Sequence, residues 1–150
     1  MSVYKRGIGD QAISHFPKKF VTLYASAATT AGYFVSIDGG DSTNGLGGSV
    51  RNAELGAGGG ATANALPFGV ATQTVAAGEE VIVQIAGKYE NAFVDGGCDE
   101  GLAMTGPLSG GTIGRAELIA AASFGPVVAV GLEADTANLA DVMIINQGFF

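Results

Sequence analysis

Apolar and polar residues alternate in short bursts along this chain, none longer than one strand. Phe20-Val21-Thr22-Leu23-Tyr24 and Tyr33-Phe34-Val35-Ser36-Ile37 are two of them, separated by the small residues 25–32. Their aromatic and β-branched content predicts two strands joined as a hairpin. After Pro67 the rhythm becomes regular, and strands are expected at 70–74, 81–85, 92–94, 102–104, 116–121, 127–132 and 142–146. Turn signals fall between them at Ala77-Gly78-Glu79, Ile85-Ala86-Gly87-Lys88, Asp95-Gly96-Gly97, Thr105-Gly106-Pro107 and Ser109-Gly110-Gly111. Residues 117–123 also suit a two-turn helix on alanine content, but Gly114 and Gly125-Pro126 bound them tightly and a strand is favoured.

One phrase is used twice. Residues 69–84 read GVATQTVAAGEEVIVQ and residues 131–146 read GLEADTANLADVMIIN. Each runs from Gly through a small, Thr-containing stretch to an acid, Glu79 or Asp141, and then into an apolar run. Two turns delivering the chain into buried strands are the expectation, with Glu79 and Asp141 as equivalent turn acids at two similar corners of one barrel.

Composition agrees with strands. The chain has 150 residues, 25 of them glycine, and glycine is costly inside helices. These features predict an all-β fold: a small, Gly-rich β-barrel or β-sandwich. Residues 1–19 lack a period and are read as an extended arm ahead of a single β domain at 20–150. Within it, 38–60 is the low-complexity segment, with nine glycines in 23 residues. It is expected to be a long surface loop or mobile excursion that packs on a neighbouring subunit or a larger assembly.

Charge changes the picture further. Only 14% of residues are charged against 47% hydrophobic, so part of the surface is expected to be covered by a partner. Lys5, Arg6, Lys18 and Lys19 against Asp10 make the first 20 residues net +3, whereas 21–150 are net −10. Such an acidic body argues against nucleic acid as a partner, and the basic leader suits docking on an acidic surface. No run approaches the roughly 18 apolar residues of a membrane span, so no membrane partner is expected. No leader with an apolar h-region is visible. The single Cys98 fits assembly in a reducing cytoplasm.

Candidate chemistry is sparse. Gly45-Leu46-Gly47-Gly48 lacks the following helix and acid of a dinucleotide site, and Gly87-Lys88 is followed by Tyr89 rather than Ser or Thr. Asp38, Asp41 and Asn44 offer oxygen ligands, but their spacing is not that of a calcium loop, and turn chemistry is the better reading. Cys98 has acidic neighbours that would raise its pKa, and the only histidine, His15, lies in the arm. Glu79/Glu80 and Asp99/Glu100 are adjacent pairs, so neither converges on one strand face. No cofactor, no metal and no enzymatic activity are expected.

A family resemblance rests on Gly69-Val70-Ala71, Thr74-Val75-Ala76-Ala77-Gly78-Glu79-Glu80-Val81 and Asp99-Glu100-Gly101-Leu102-Ala103-Met104-Thr105. Gly111-Thr112-Ile113-Gly114-Arg115-Ala116, the 131–134 segment and Asp141-Val142-Met143-Ile144-Ile145 complete it. From Pro67 onward the chain resembles tailed-bacteriophage capsid decoration (cement) proteins of the small β-barrel or β-tulip type. The Gly-rich 38–60 segment departs from that pattern. The resemblance implies a virion protein on the outer surface of the phage head that stabilises the shell. Its partners would be the major capsid protein and copies of itself, as a homotrimer or lattice-dependent homo-oligomer. Contacts are then expected from Lys5, Arg6, His15, Lys18 and Lys19, and from Phe149 and Phe150 at a seam. The alternative is a head-fibre base or a host-glycan-binding surface module, with Tyr33, Asn44 and Tyr89 as exposed sugar contacts.

Overall fold

The computed structural model describes residues 17–41, 43, 48–53, 67–107, 111–119 and 126–145. Among them every regular element is a strand: β1 (Lys19–Ala25), β2 (Phe34–Ile37), β3 (Ser49–Asn52), β4 (Gly69–Ala71), β5 (Glu80–Phe93), β6 (Ala103–Thr105), β7 (Glu117–Leu118), β8 (Ala129–Gly131) and β9 (Leu139–Ile144). The expected all-β barrel is therefore present.

The long strand β5 organises everything else. Its first half belongs to a closed barrel, ring 1, ordered β1-β3-β2-β4-β5, in which β1 returns to pair β5 antiparallel from Lys19–Ala86 to Tyr24–Glu80. Its second half pairs β9, and the sheet continues through β8, β6 and β7. This second ring also closes, through one parallel bridge between Val94 and Ala116. There the Asp95 N–H donates to the Ala116 carbonyl at 2.8 Å, and the Ala116 N–H to the Phe93 carbonyl at 3.2 Å.

Strand by strand, ring 2 repeats ring 1. The antiparallel ladders β2–β3, β2–β4 and β4–β5 are matched by β6–β7, β6–β8 and β8–β9. The parallel contact of β1 with β3 is matched by Val94 with Ala116. Thus the second half of β5 does in ring 2 what β1 does in ring 1.

How one strand serves two rings is visible in its irregularities. Gln84 faces Phe20 but Ala86 faces Lys19, so β5 carries an extra residue there. Gly87 follows at φ +90°, a conformation open to glycine. The buried Gln84 amide donates to the Ala86 and Lys88 carbonyls at 3.1 and 2.9 Å, tying the strand across the bulge. A second irregularity lies between Tyr89 and Ala92, where Asn91 adopts φ +57°. Bulges bend a strand and increase its twist, which is what passing from one closed ring into another requires.

Each ring has its own core. Ring 1 encloses Ala25, Val35, Val50, Ala71, Val81 and Val83. The second core holds Val94, Met104, Ala129, Val142 and Ile144, and takes in Phe34 and Val70 from the outer face of ring 1. Burying a side chain of this size contributes roughly 1.5–3 kcal/mol, so Phe34 fastens the two rings together.

Several expectations are corrected. β1 and β2 do not form a hairpin, because β3 lies between them. That strand sits inside the 38–60 segment expected as a loop, with Val50 and Ala53 wholly buried. A strand of four residues needs one inward side chain at Val50, and flanking glycines hide so short a signal. No turn occurs at Ile85-Ala86-Gly87-Lys88, where β5 runs straight through. The expected strands at 81–85 and 92–94 are one element. Strand β1 begins at Lys19, so that residue belongs to the barrel rather than to an arm. Of the 117–123 segment, Glu117–Leu118 is strand and 120–123 lie outside the described residues.

The repeated phrase does mark two equivalent hairpins, β4–β5 and β8–β9, but in two rings rather than at two corners of one. Its register also differs from the expectation. Ala71 pairs Val83 as Gly131 pairs Val142, so Ala71 rather than Gly69 stands where Gly131 does. The Thr72 N–H donates to the Ile82 carbonyl as the Leu132 N–H does to that of Asp141, each at 2.9 Å. Ile82, not Glu79, is therefore the counterpart of Asp141. Glu79 remains a turn acid, accepting the Ala76 N–H at 2.8 Å, whereas Asp141 lies within β9.

Candidate interaction surface

Alternation along β1 sends Val21, Leu23 and Ala25 toward the barrel core and Phe20, Thr22 and Tyr24 outward. Across the ladder Ile82 faces Thr22, and Glu80 faces Tyr24. Phe20 is 53% exposed and Tyr24 and Ile82 are each 40% exposed, an apolar stripe on the side of ring 1 that does not pack on ring 2. Lys18 and Lys19 are exposed at its start. Of the residues predicted as contacts, these two are described, and they directly precede Phe20 in sequence. Lys5, Arg6, His15, Phe149 and Phe150 lie outside the described residues. Phe20 and Ile82 were not singled out from the sequence, because an outward apolar residue shows itself only once the inward set is known.

The equivalent positions in ring 2 are occupied differently. Register places Lys88 where Phe20 stands and Asp141 where Ile82 stands. The Lys88 ammonium lies 2.7 Å from Asp141 Oδ2 and 3.6 Å from Glu90 Oε1. Asp141 Oδ1 accepts the Asn91 N–H at 3.1 Å, so this carboxylate also fixes the bulge. Its hydrogen bond from Lys88 holds the Asp141 carboxyl below the usual range against a smaller effect of burial, and the same bond raises Lys88.

The remaining candidates are absorbed by structure. Asp38 accepts the Ser26 hydroxyl at 2.6 Å and the Gly40 N–H at 3.0 Å, and lies 3.9 Å from Arg51. Asp41 accepts the Thr43 N–H at 2.9 Å. Both carboxylates satisfy their own turns, as the turn reading expects. Among the described residues, no group of three or more His, Cys, Asp or Glu is placed to hold a metal ion. Cys98 is buried, its thiol pushed up first by burial and then by Asp135, Asp99 and Glu133. Such a thiol is a poor nucleophile.

Two residues expected as exposed sugar contacts are structural instead. Tyr33 stacks edge-on against Phe93 with ring centroids 4.9 Å apart. The half-buried Tyr89 packs on the second core and donates its hydroxyl to the Ala71 carbonyl at 3.0 Å. Asn44 lies outside the described residues. Tyr33 looks exposed in sequence, but Gly114 lets the backbone close over its ring, where a Cβ would lie 2.5 Å from it.

No protein-family model matches the chain, and no curated protein does. A solved structure is similar. It is the crystal structure of the head fibre gp8.5 N base of bacteriophage phi29, with a TM-score of 0.59 and 17% sequence identity. The match covers 89% of this chain and 99% of that one. At this identity the likeness is one of fold.

Proposed function

We propose that this chain is a structural protein of a tailed-phage virion that seats on the outer surface of the head as a head-fibre base. The observation that carries the reading is a fold shared, across 89% of the chain, with the N base of a phage head fibre. It agrees with the low charge content, and with Asp38, Glu79 and Asp141 among the described residues being engaged by turns and a bulge. Made in the host cytoplasm, the protein would reach its place on the shell with the major capsid protein as partner.

A cement role differs from a base role in one respect, whether the shell depends on the chain for strength. Incubating the full chain with purified heads that lack it tests the common part. Saturable co-sedimentation at a fixed number of copies per head is expected, and heads that pellet without it overturn the proposal. Heating the same heads with and without bound protein separates the two roles. A higher temperature of DNA release with the protein bound adds the cement role; an unchanged one leaves the base role alone.

A further inference from the structure

We propose that the outward face of the β2–β3 ladder binds an internal water, held by Ser36, Ser49, Asp38 and Arg51. The ladder sets Ser36 opposite Arg51, and two residues on the Asp38 N–H donates to the Ser49 carbonyl at 2.9 Å. Val35 and Val50 face the ring 1 core, while Phe34 and Ala53, on the other face of the same strands, pack in the second core. Alternation therefore puts Ser36, Asp38, Ser49 and Arg51 on the outward face, at the corners of one small square. Opposite corners across the ladder stand about 5 Å apart at Cβ, and diagonal ones roughly 7–8 Å.

Both serines are buried, Ser36 at 1% and Ser49 at 0% exposure, yet among the described residues neither hydroxyl has a hydrogen-bond partner. A buried hydroxyl left unbonded costs stability, and native interiors satisfy such groups with protein or with ordered water. The serines occupy one diagonal of the square. The Arg51–Asp38 pair occupies the other, its nitrogen and oxygen 3.9 Å apart. That separation exceeds the roughly 2.7–2.9 Å of a direct charge-assisted hydrogen bond and suits a bridged one. Asp38 keeps lone pairs for it after accepting the Ser26 hydroxyl and the Gly40 N–H. Because the diagonals cross, the space between the two hydroxyls is also the space between the two charges. A cation there would be repelled by Arg51 and an anion by Asp38, whereas water donates to one and accepts from the other. Two hydroxyls, a carboxylate and a guanidinium supply the partners that a buried water requires. The site ties β3 to β2 on the face away from the ring 1 core. Val50 is the only apolar residue of β3, and slipping that strand by one position would turn Arg51 into the core and break the square.

A crystal structure of the full chain tests this directly. An ordered water within hydrogen-bond distance of Ser36 Oγ and Ser49 Oγ, and of Asp38 or Arg51, is the expected result. No water there, a direct bond between the two serine hydroxyls, or a guanidinium bonded straight to either of them overturns the proposal. Denaturant unfolding gives a second measurement, in which the sign discriminates. Ser36→Ala and Ser49→Ala should each raise the unfolding equilibrium constant about fivefold, because each takes a partner from the water. The double variant should fall well short of the product of the two, since the second substitution acts on a water that the first has already loosened. Hydroxyls with no partner at all would behave in the opposite way, and alanine would relieve them. A lowered constant for either single variant, or a double variant equal to the product, therefore overturns the shared water. Neither measurement involves phage heads, so its outcome is read independently of the proposed place in the virion.

Discussion

The two rings share a topology, yet matching places on their outer walls are built from opposite chemistry. Ring 1 joins β1 to β3 through two parallel residue pairs and presents Phe20 and Ile82 to solvent. Ring 2 closes through the single Val94–Ala116 bridge and presents Lys88 and Asp141, paired to one another and to the bulge. At these matched places ring 1 carries apolar side chains and ring 2 an ion pair, although ring 2 exposes Leu102, Ile113 and Leu132 elsewhere. A single architecture can carry both because closure runs through backbone hydrogen bonds in the plane of the sheet, whereas surface chemistry belongs to the side chains of the outward face.

Truncating the side chain that joins the rings gives the largest expected effect. Phe34→Ala should cost about 3–5 kcal/mol, measured by denaturant unfolding, because the cavity opens in the second core while the residue belongs to ring 1. One transition is expected by both tyrosine fluorescence and far-UV circular dichroism. Two separated transitions would mean that the rings are independent.

Close backbone approach comes next. A Cβ on Gly69 would lie 2.5 Å from the Gln84 carbonyl oxygen, and one on Gly131 would lie 2.7 Å from Cys98 Sγ and closer still to the Asp99 carbonyl oxygen. Gly69→Ala and Gly131→Ala should each cost about 1–3 kcal/mol by overpacking against backbone. A neutral result at either site, measured as the shift in thermal midpoint, would show that the backbone opposite it gives way.

The single-bridge seam of ring 2 should be legible in hydrogen exchange. Amides of Asp95 and Ala116, which hold the ring 2 seam, are expected to exchange faster than ladder amides of β1 and the first half of β5. Equal protection would mean that both rings open only by global unfolding.

The smallest effect concerns pH. Asp141 has a folded pKa below its ordinary value, so its contribution is present above about pH 4 and is lost as pH falls through the folded value. Lys88 has a raised pKa, so its share is full below about pH 10.4 and is lost only as pH climbs through the raised value. Asp141→Asn removes the ion pair and keeps an acceptor for the Asn91 N–H. Its acid unfolding limb should be shallower than that of the wild type, with neutral stability only slightly lowered. An acid limb identical to the wild type would show that the pair contributes nothing.

Short range accounts for what was legible. Alternation at Phe20–Tyr24 and at Val81-Ile82-Val83 reports which strand face is buried, because the period of a strand is two. The use of one phrase twice reports two equivalent hairpins. Its register was hidden, since loops of different length, 72–79 and 132–138, carry the chain between strands whose pairing is fixed elsewhere. Gly87 reads as a turn in sequence because a positive-φ glycine serves a tight turn and a bulge alike. Val50 shows one inward position, too few to announce β3.

By itself, then, the sequence determined that this protein is built from strands, where most of them run, and that its acids serve turns more readily than chemistry. Tertiary structure decided that β5 is shared by two rings, that Phe34 faces the second core, and that Glu79 and Asp141 play different parts. It also decided that Phe20 and Ile82 remain outside. Strand formation follows from a local period, whereas ring closure, register and exposure depend on which distant strand arrives alongside, and no residue carries that information alone.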